Sequence, residues 1–119
     1  LLHNAASGGH ADLCRLLVSE GASISAKNNA GDTPLHNAVY GGHFEAYKHL
    51  VAAGASIREK NNTGETPLHI AASGGHLRLC EIMIASGAKV AKKSKNGDTA
   101  LHNAASSGHY DIVKLLIKH

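Results

Sequence analysis

Residues 33–43 read Thr-Pro-Leu-His-Asn-Ala-Val-Tyr-Gly-Gly-His, and this stretch decides the fold. A threonine hydroxyl can accept hydrogen bonds from the free N–H groups of a helix start, and proline suits the first helical position, where it has no N–H to lose. A short helix is therefore expected from Pro34 to about Tyr40, ended by Gly41-Gly42. A second helix is expected from about Phe44 to Ala53. In the first unit its apolar residues Leu13, Leu16, Leu17 and Val18 follow helical spacing. Gly54 stops it, and the stretch from Ala55 to Thr63 is polar and ends at Gly64.

Working outward, the same marks recur. Leu-His stands at Leu2-His3, Leu35-His36, Leu68-His69 and Leu101-His102, with a constant period of 33. Gly-His repeats with the same period at Gly9-His10, Gly42-His43, Gly75-His76 and Gly108-His109, and Gly-Ala does so at Gly21-Ala22, Gly54-Ala55 and Gly87-Ala88. A fixed period of this length marks a repeat architecture, and it changes every later assignment. Asn96-Gly97 adds a strong turn signal between extended arms.

Helix, tight turn, helix and polar turn within one such period, with Thr-Pro-Leu-His and Gly-His, resembles the ankyrin repeat over essentially the whole chain. Thr33-Pro34-Leu35-His36 and Thr66-Pro67-Leu68-His69 match fully, Thr99-Ala100-Leu101-His102 has alanine for proline, and the first unit begins at Leu1 in the proline slot. The resemblance implies an all-α ankyrin-repeat solenoid of stacked helix-turn-helix units with protruding β-hairpin-like turns. Residues 1–119 then form a single domain, with repeats at about 1–30, 31–63, 64–96 and 97–119.

The composition agrees and excludes other classes. Hydrophobic residues at 43% and charged residues at 18% suit one folded domain. With no Trp and only Phe44, Tyr40, Tyr47 and Tyr110 as aromatics, the core has to come from Leu, Ile, Val and Ala in close contact. A formal net charge of +3 is too mild for the dense basic face of a nucleic-acid binder. No apolar run approaches the roughly 18 residues of a membrane span, and no signal-peptide pattern is present. A chain starting at Leu1 without an initiator Met reads as a piece of a longer protein.

Ten histidines invite a metal-site hypothesis, which the period removes for eight of them. The family resemblance implies that His3, His36, His69 and His102 bond back to the Thr hydroxyl and neighbouring backbone, while His10, His43, His76 and His109 bridge the backbone of adjacent units. Equivalent residues in successive units sit roughly 10 Å apart, too far to share a zinc ion that needs ligands at about 2 Å. Cys14 and Cys80 hold one slot two units apart, too distant for a disulfide, and are expected reduced, buried and inert, as in a cytoplasmic or nuclear protein. The slot runs Cys14, Tyr47, Cys80, Val113, which reads as volume compensation down the stack. The pairs Asp12/Arg15, Glu45/Lys48, Arg78/Glu81 and Asp111/Lys114 read as a solvated outer face. His49, in the slot of Leu16, Ile82 and Leu115, is expected either as a core histidine bonded to a backbone carbonyl or as a site whose packing responds to pH.

In ankyrin repeats, partners usually bind the concave side of turn tips and first helices. Slot by slot, that resemblance implies a partner-binding surface of Asn29, Asp32, Asn62, Glu65, Lys95 and Asp98 at the tips, with Asn37, Tyr40, Ser73, Asn103 and Ser106 on the first helices. Tyr40 is its only aromatic, and interface hot spots favour Trp, Tyr and Arg. It is either an anchor or an exposed ring packing over Gly41. Lys27, Lys60 and Lys93 form one ladder and Asp32, Glu65 and Asp98 another, expected largely to neutralise each other. The third linker is the exception, where Lys89, Lys92, Lys93 and Lys95 face only Asp98 and suit an acidic partner or phosphate.

The function expected is therefore a protein-interaction scaffold binding another protein. The alternative is a structural module packing against flanking repeats of its own parent chain, with end-to-end self-contacts, because neither end shows an obvious polar cap. No catalytic arrangement, cofactor motif or metal site is expected, and the glycines mark helix ends and turns rather than a phosphate loop.

Overall fold

The computed structural model describes residues 2–119. Among them lie eight helices: α1 (Leu2–Ser7), α2 (Ala11–Ser19), α3 (Pro34–Tyr40), α4 (Phe44–Ala52), α5 (Pro67–Gly74), α6 (Leu77–Ala85), α7 (Ala100–Ser106) and α8 (Tyr110–Lys118). The expected helix ends agree to within one residue at Ala52. The first helices α1, α3, α5 and α7 stack in one layer, while in the second layer α2 packs on α4 and α6 on α8. The result is a solenoid measuring 40 × 25 × 22 Å.

The helix starts follow from one reciprocal bond set. Thr33 is extended (φ −84°, ψ 168°), and its hydroxyl accepts the N–H of His36 at 3.4 Å. The His36 Nδ1 in turn accepts the N–H of Thr33 at 3.1 Å. Histidine thus replaces the usual Glu or Gln of a capping box. Thr99 and His102 repeat the arrangement although Ala100 lacks the proline ring, so the Thr-His pair suffices to start the helix.

The core is built from the small residues the composition required. Ala6, Ala38, Ala71, Ala72 and Ala104 are wholly buried between first helices, and Leu35, Leu50, Leu68, Leu79 and Met83 fill the space between layers. Each large aliphatic buried this way contributes about 1.5–3 kcal/mol. Cys14, Tyr47 and Cys80 are all buried in their shared slot, while Val113 is half-buried. The Tyr47 hydroxyl has no hydrogen-bond partner, and burial pushes its pKa up to about 12.

Gly41 and Gly42 do more than end α3. A Cβ at Gly42, where φ is +69°, would stand 2.6 Å from the ring of His76 in the next repeat. Gly9 stands in the same relation to His43, and Gly75 to His109. The loop is bare so that the next histidine can lie against it.

The turns are hairpin-like, as expected, but their arms are too short to form a ladder. No strand is formed among the described residues. Each tip is closed by two backbone bonds, such as the Asn28 N–H to the Asp32 carbonyl at 3.0 Å and the Gly31 N–H to the Asn28 carbonyl at 2.9 Å. Successive tips are tied by the Asn62 N–H to the Ala30 carbonyl and the Lys95 N–H to the Thr63 carbonyl, both at 3.0 Å.

Two stability effects follow. Gly108→Ala, at φ +77° with open space around it, should cost about the 1–2 kcal/mol of a left-handed non-glycine residue. Gly42→Ala should cost more, because it also displaces the His76 ring, and paired urea melts will measure the difference. Tyr47→Phe should stabilise the fold by about 1 kcal/mol by removing an unsatisfied buried hydroxyl, read as a raised melting temperature.

Candidate partner-binding surface

The tips are aimed by histidines. Because Nδ1 of His36 accepts a backbone N–H, the proton of the neutral ring sits on Nε2, which donates to the carbonyl of Glu65 at 3.1 Å. His3 does the same to the Asp32 carbonyl and His69 to the Asp98 carbonyl, each at 2.9 Å. Every one of these carbonyls belongs to the acidic slot at the base of the next tip. The second-helix histidines make a parallel set, from the Nε2 of His43 to the Ser7 carbonyl at 2.9 Å, His76 to Tyr40 at 3.4 Å and His109 to Ser73 at 3.1 Å. These are the backbone roles expected for these six rings, while His102 makes only its own cap with Thr99. Among the described residues no group of three or more His, Cys, Asp or Glu side chains could hold a metal ion.

The tips themselves are organised by residues the sequence reading passed over. Asn28 Oδ1 accepts the N–H groups of Ala30 and Asp32, both at 3.0 Å. Asn61, one repeat later, accepts from the Thr63 N–H and hydroxyl and the Glu65 N–H, while its amide donates to Asp32 Oδ1 at 3.0 Å and Glu65 Oε1 at 3.3 Å. Asn28, Asn61 and Ser94 share one slot, and an Asn or Ser bonding its own chain two to four residues on is a turn signal the sequence did contain.

This network corrects part of the expected surface. Asp32 is buried, with only 5% of its surface exposed, because its carbonyl serves His3 and its carboxylate serves Asn61. Asn37 and Asn103 are half-buried, and their amides clamp the preceding repeat through the carbonyls of His3 at 3.4 Å and His69 at 3.3 Å. Glu65 and Asp98 are half-buried as well. Asn29, Asn62, Tyr40, Ser73, Ser106, Lys92, Lys93 and Lys95 are exposed, although the Asn62 amide also reaches back to the Asn29 carbonyl at 2.9 Å.

Tyr40 is half exposed, at 51%. Partial burial raises its phenol pKa, and the carboxylates of Asp32 and Glu65 raise it further. The ring therefore stands beside negative charge at the centre of the first-helix row.

The charge ladders do not neutralise each other as expected. Lys27 reaches Glu59 at 3.8 Å and the Lys60 carbonyl at 3.1 Å, whereas the Asp32 carboxylate meets Asn61. On the outer face the pairs Asp12–Arg15 at 3.5 Å and Glu45–Lys48 at 3.6 Å form as read. Arg78 lies instead over the Phe44 ring at 4.2 Å, with Lys48 on the same ring at 5.5 Å, and Lys114 lies over Tyr110 at 5.2 Å. Sequence spacing along one helix could not show a ring shared between two repeats.

His49 is not a core residue. It is half-buried and lines a shallow groove with Asp12, Leu13 and Glu45, and Leu16 in the same slot is itself 54% exposed. Cys14 and Cys80 are buried free thiols. Burial raises both pKa values, with Cys80 pushed to about 12. No described helix is long and apolar enough to cross a membrane.

Comparison with known families matches residues 48–119 to a model described as Ankyrin repeats (3 copies) and residues 2–50 to one described as Ankyrin repeats (many copies). No curated protein matches the chain.

The His36 geometry gives a signed pH dependence. Burial lowers its pKa below the ordinary 6.5, and the bond to Glu65 and the charge of Asp32 offset this only in part. The unfolded ring takes up a proton near pH 6.5 while the folded ring stays neutral. The stability His36 confers is therefore full above that pH and is lost as pH falls through the folded pKa. At pH 7.5, His36→Gln should cost about 1–3 kcal/mol for the broken buried bonds. The melting-temperature gap between the two proteins should narrow from pH 7.5 to pH 5, and a constant gap would refute the assignment.

Proposed function

Since this chain belongs to the ankyrin-repeat family, whose members are generally protein–protein interaction modules and typically non-enzymatic scaffolds, we propose that it holds a partner protein on the concave row of turn tips and first helices. Tyr40 carries this reading. It is the large side chain of that row left half exposed, and it is flanked by the small or polar Asn37, Gly41 and Ser73. Such a ring supplies contact area with little rotamer entropy to lose, and its neighbours leave room for an extended segment or a helix. The negative charge from Glu65 and Asp32 beside it favours a partner with a basic residue at that point. Asn29, Asn62 and Ser106 add exposed polar contacts around the anchor. Buried thiols suit a reducing compartment, cytoplasmic or nuclear.

A second reading rests on the exposed apolar side chains Leu13 and Leu16 on α2 and Tyr110 and Ile117 on α8. These would stack against further repeats or another copy.

The test is affinity capture with cross-linking, comparing the natural chain with a Tyr40→Ala, Ser73→Arg variant. Partners should be lost while the melting temperature changes little, because the His76 bond uses the Tyr40 backbone carbonyl and not its side chain. Retention of the same partners would refute the concave-face reading. Their loss in an Ile117→Asp variant instead would favour the stacking one.

A further inference from the structure

Two clefts of the same construction lie one repeat apart, each about 80 Å³ in volume. The first is lined by Ile24, Ser25, Thr33, Ser56 and Glu59, among others. The second is lined by Ile57, Arg58, Thr66, Ala88, Lys89 and Lys92. In register, Arg58 replaces Ser25, Lys89 replaces Ser56 and Lys92 replaces Glu59. The scaffold is unchanged, and every change of charge is towards positive.

The surroundings follow the same substitution. At the first cleft, Lys27 pairs with Glu59 at 3.8 Å, so its charges are matched. At the second, the residue in the Lys27 slot is Lys60, and the residue in the Glu59 slot is Lys92. Lys92 lies close enough that its contact and its charge lower the Lys60 pKa. No carboxylate lines this cleft. Three cations thus line this cleft where the sister site has an ion pair. Arg58 is partly held, its Nη2 donating to the Gly87 carbonyl at 3.4 Å, and the remaining N–H groups of its fork are left for a ligand.

We propose that the Arg58–Lys89–Lys92 cleft is a binding site for a phosphate dianion carried by a phosphorylated side chain of a polypeptide partner. A phosphate monoester has close to two negative charges and three acceptor oxygens, which match a guanidinium fork flanked by ammonium groups better than a single carboxylate does. By volume, one water needs only about 10–15 Å³ of such a cavity, so 80 Å³ admits a tetrahedral group. Ile57 and Ala88 form an apolar floor, which strengthens the charge contacts above it. A membrane headgroup fits less well, because the exposed large apolar residues Leu13, Leu16, Tyr40, Tyr110 and Ile117 are all outside the cleft. The polypeptide source rests on the protein-partner reading above, whereas the site itself does not.

The experiment is an NMR titration of the intact chain with inorganic phosphate against chloride at constant ionic strength. It is followed by titration with a peptide carrying one phosphoserine and with its unphosphorylated twin. The amides of residues 58, 89 and 92 should shift and saturate. An Arg58→Ser, Lys89→Ser, Lys92→Glu variant, which installs residues this fold already accepts in the first cleft, should bind on the order of tenfold more weakly or worse. The reverse variant, Ser25→Arg, Ser56→Lys, Glu59→Lys, should acquire phosphate-dependent shifts at the first cleft, and it keeps the test decisive should the former fail to fold. Shifts spread evenly over all lysines, including Lys27, Lys114 and Lys118, or unchanged in the variants, would overturn the site. Binding of inorganic phosphate and of vesicles bearing phosphorylated headgroups, with no preference for the phosphopeptide, would overturn the polypeptide source alone.

Discussion

The ring of His36 holds three things at once: the cap of its own helix, the tautomer that cap enforces, and the carbonyl of Glu65 one repeat away. Its position couples local structure to stacking. A capping side chain ordinarily serves one helix end. Here the nitrogen not used by the cap is left protonated by it and points at the next repeat. Helix start and repeat spacing are therefore fixed by one neutral imidazole, and the polar atoms involved are buried with their partners in place.

The second-helix histidines extend the same logic through absence. The rings of His43, His76 and His109 cross to the previous repeat only because Gly9, Gly42 and Gly75 present no side chain there. The fold thus rests on a few polar joints between units, filled in by alanine and leucine. Positions outside these histidine joints vary from unit to unit. The difference between the two clefts, with Ser25, Ser56 and Glu59 in one and Arg58, Lys89 and Lys92 in the other, is the clearest case of such variation.

Much of this was legible beforehand. Thr33-Pro34-Leu35-His36 and its periodic copies carry the helix starts, the layer order and the backbone roles of the histidines, because those depend on residues near in sequence or one whole unit apart. The surface was less legible. Asp32 reads as an exposed tip acid, yet its depth is set by His3 and Asn61, each 29 residues away. Arg78 reads as the partner of Glu81, but the ring of Phe44 in another repeat holds it. The charge inversion at the second cleft was present in the slot alignment. What alignment cannot supply is that Arg58 faces Lys89 and Lys92 across a gap.

The joints also bear on how such a chain changes over generations. His43, His76 and His109 each meet a glycine of the unit before, and every unit offers the same Gly-His pair. An exchange that deletes one whole unit in frame would bring Gly9 against the ring of His76, a junction chemically identical to the two it replaces. The clefts lack this interchangeability, since each draws on the arms of two successive units, and the same excision would set Ser25 opposite Lys89 and Lys92. Recombination can therefore shorten or lengthen the stack without mending its seams, while shuffling, at each new seam, which anions and cations stand together.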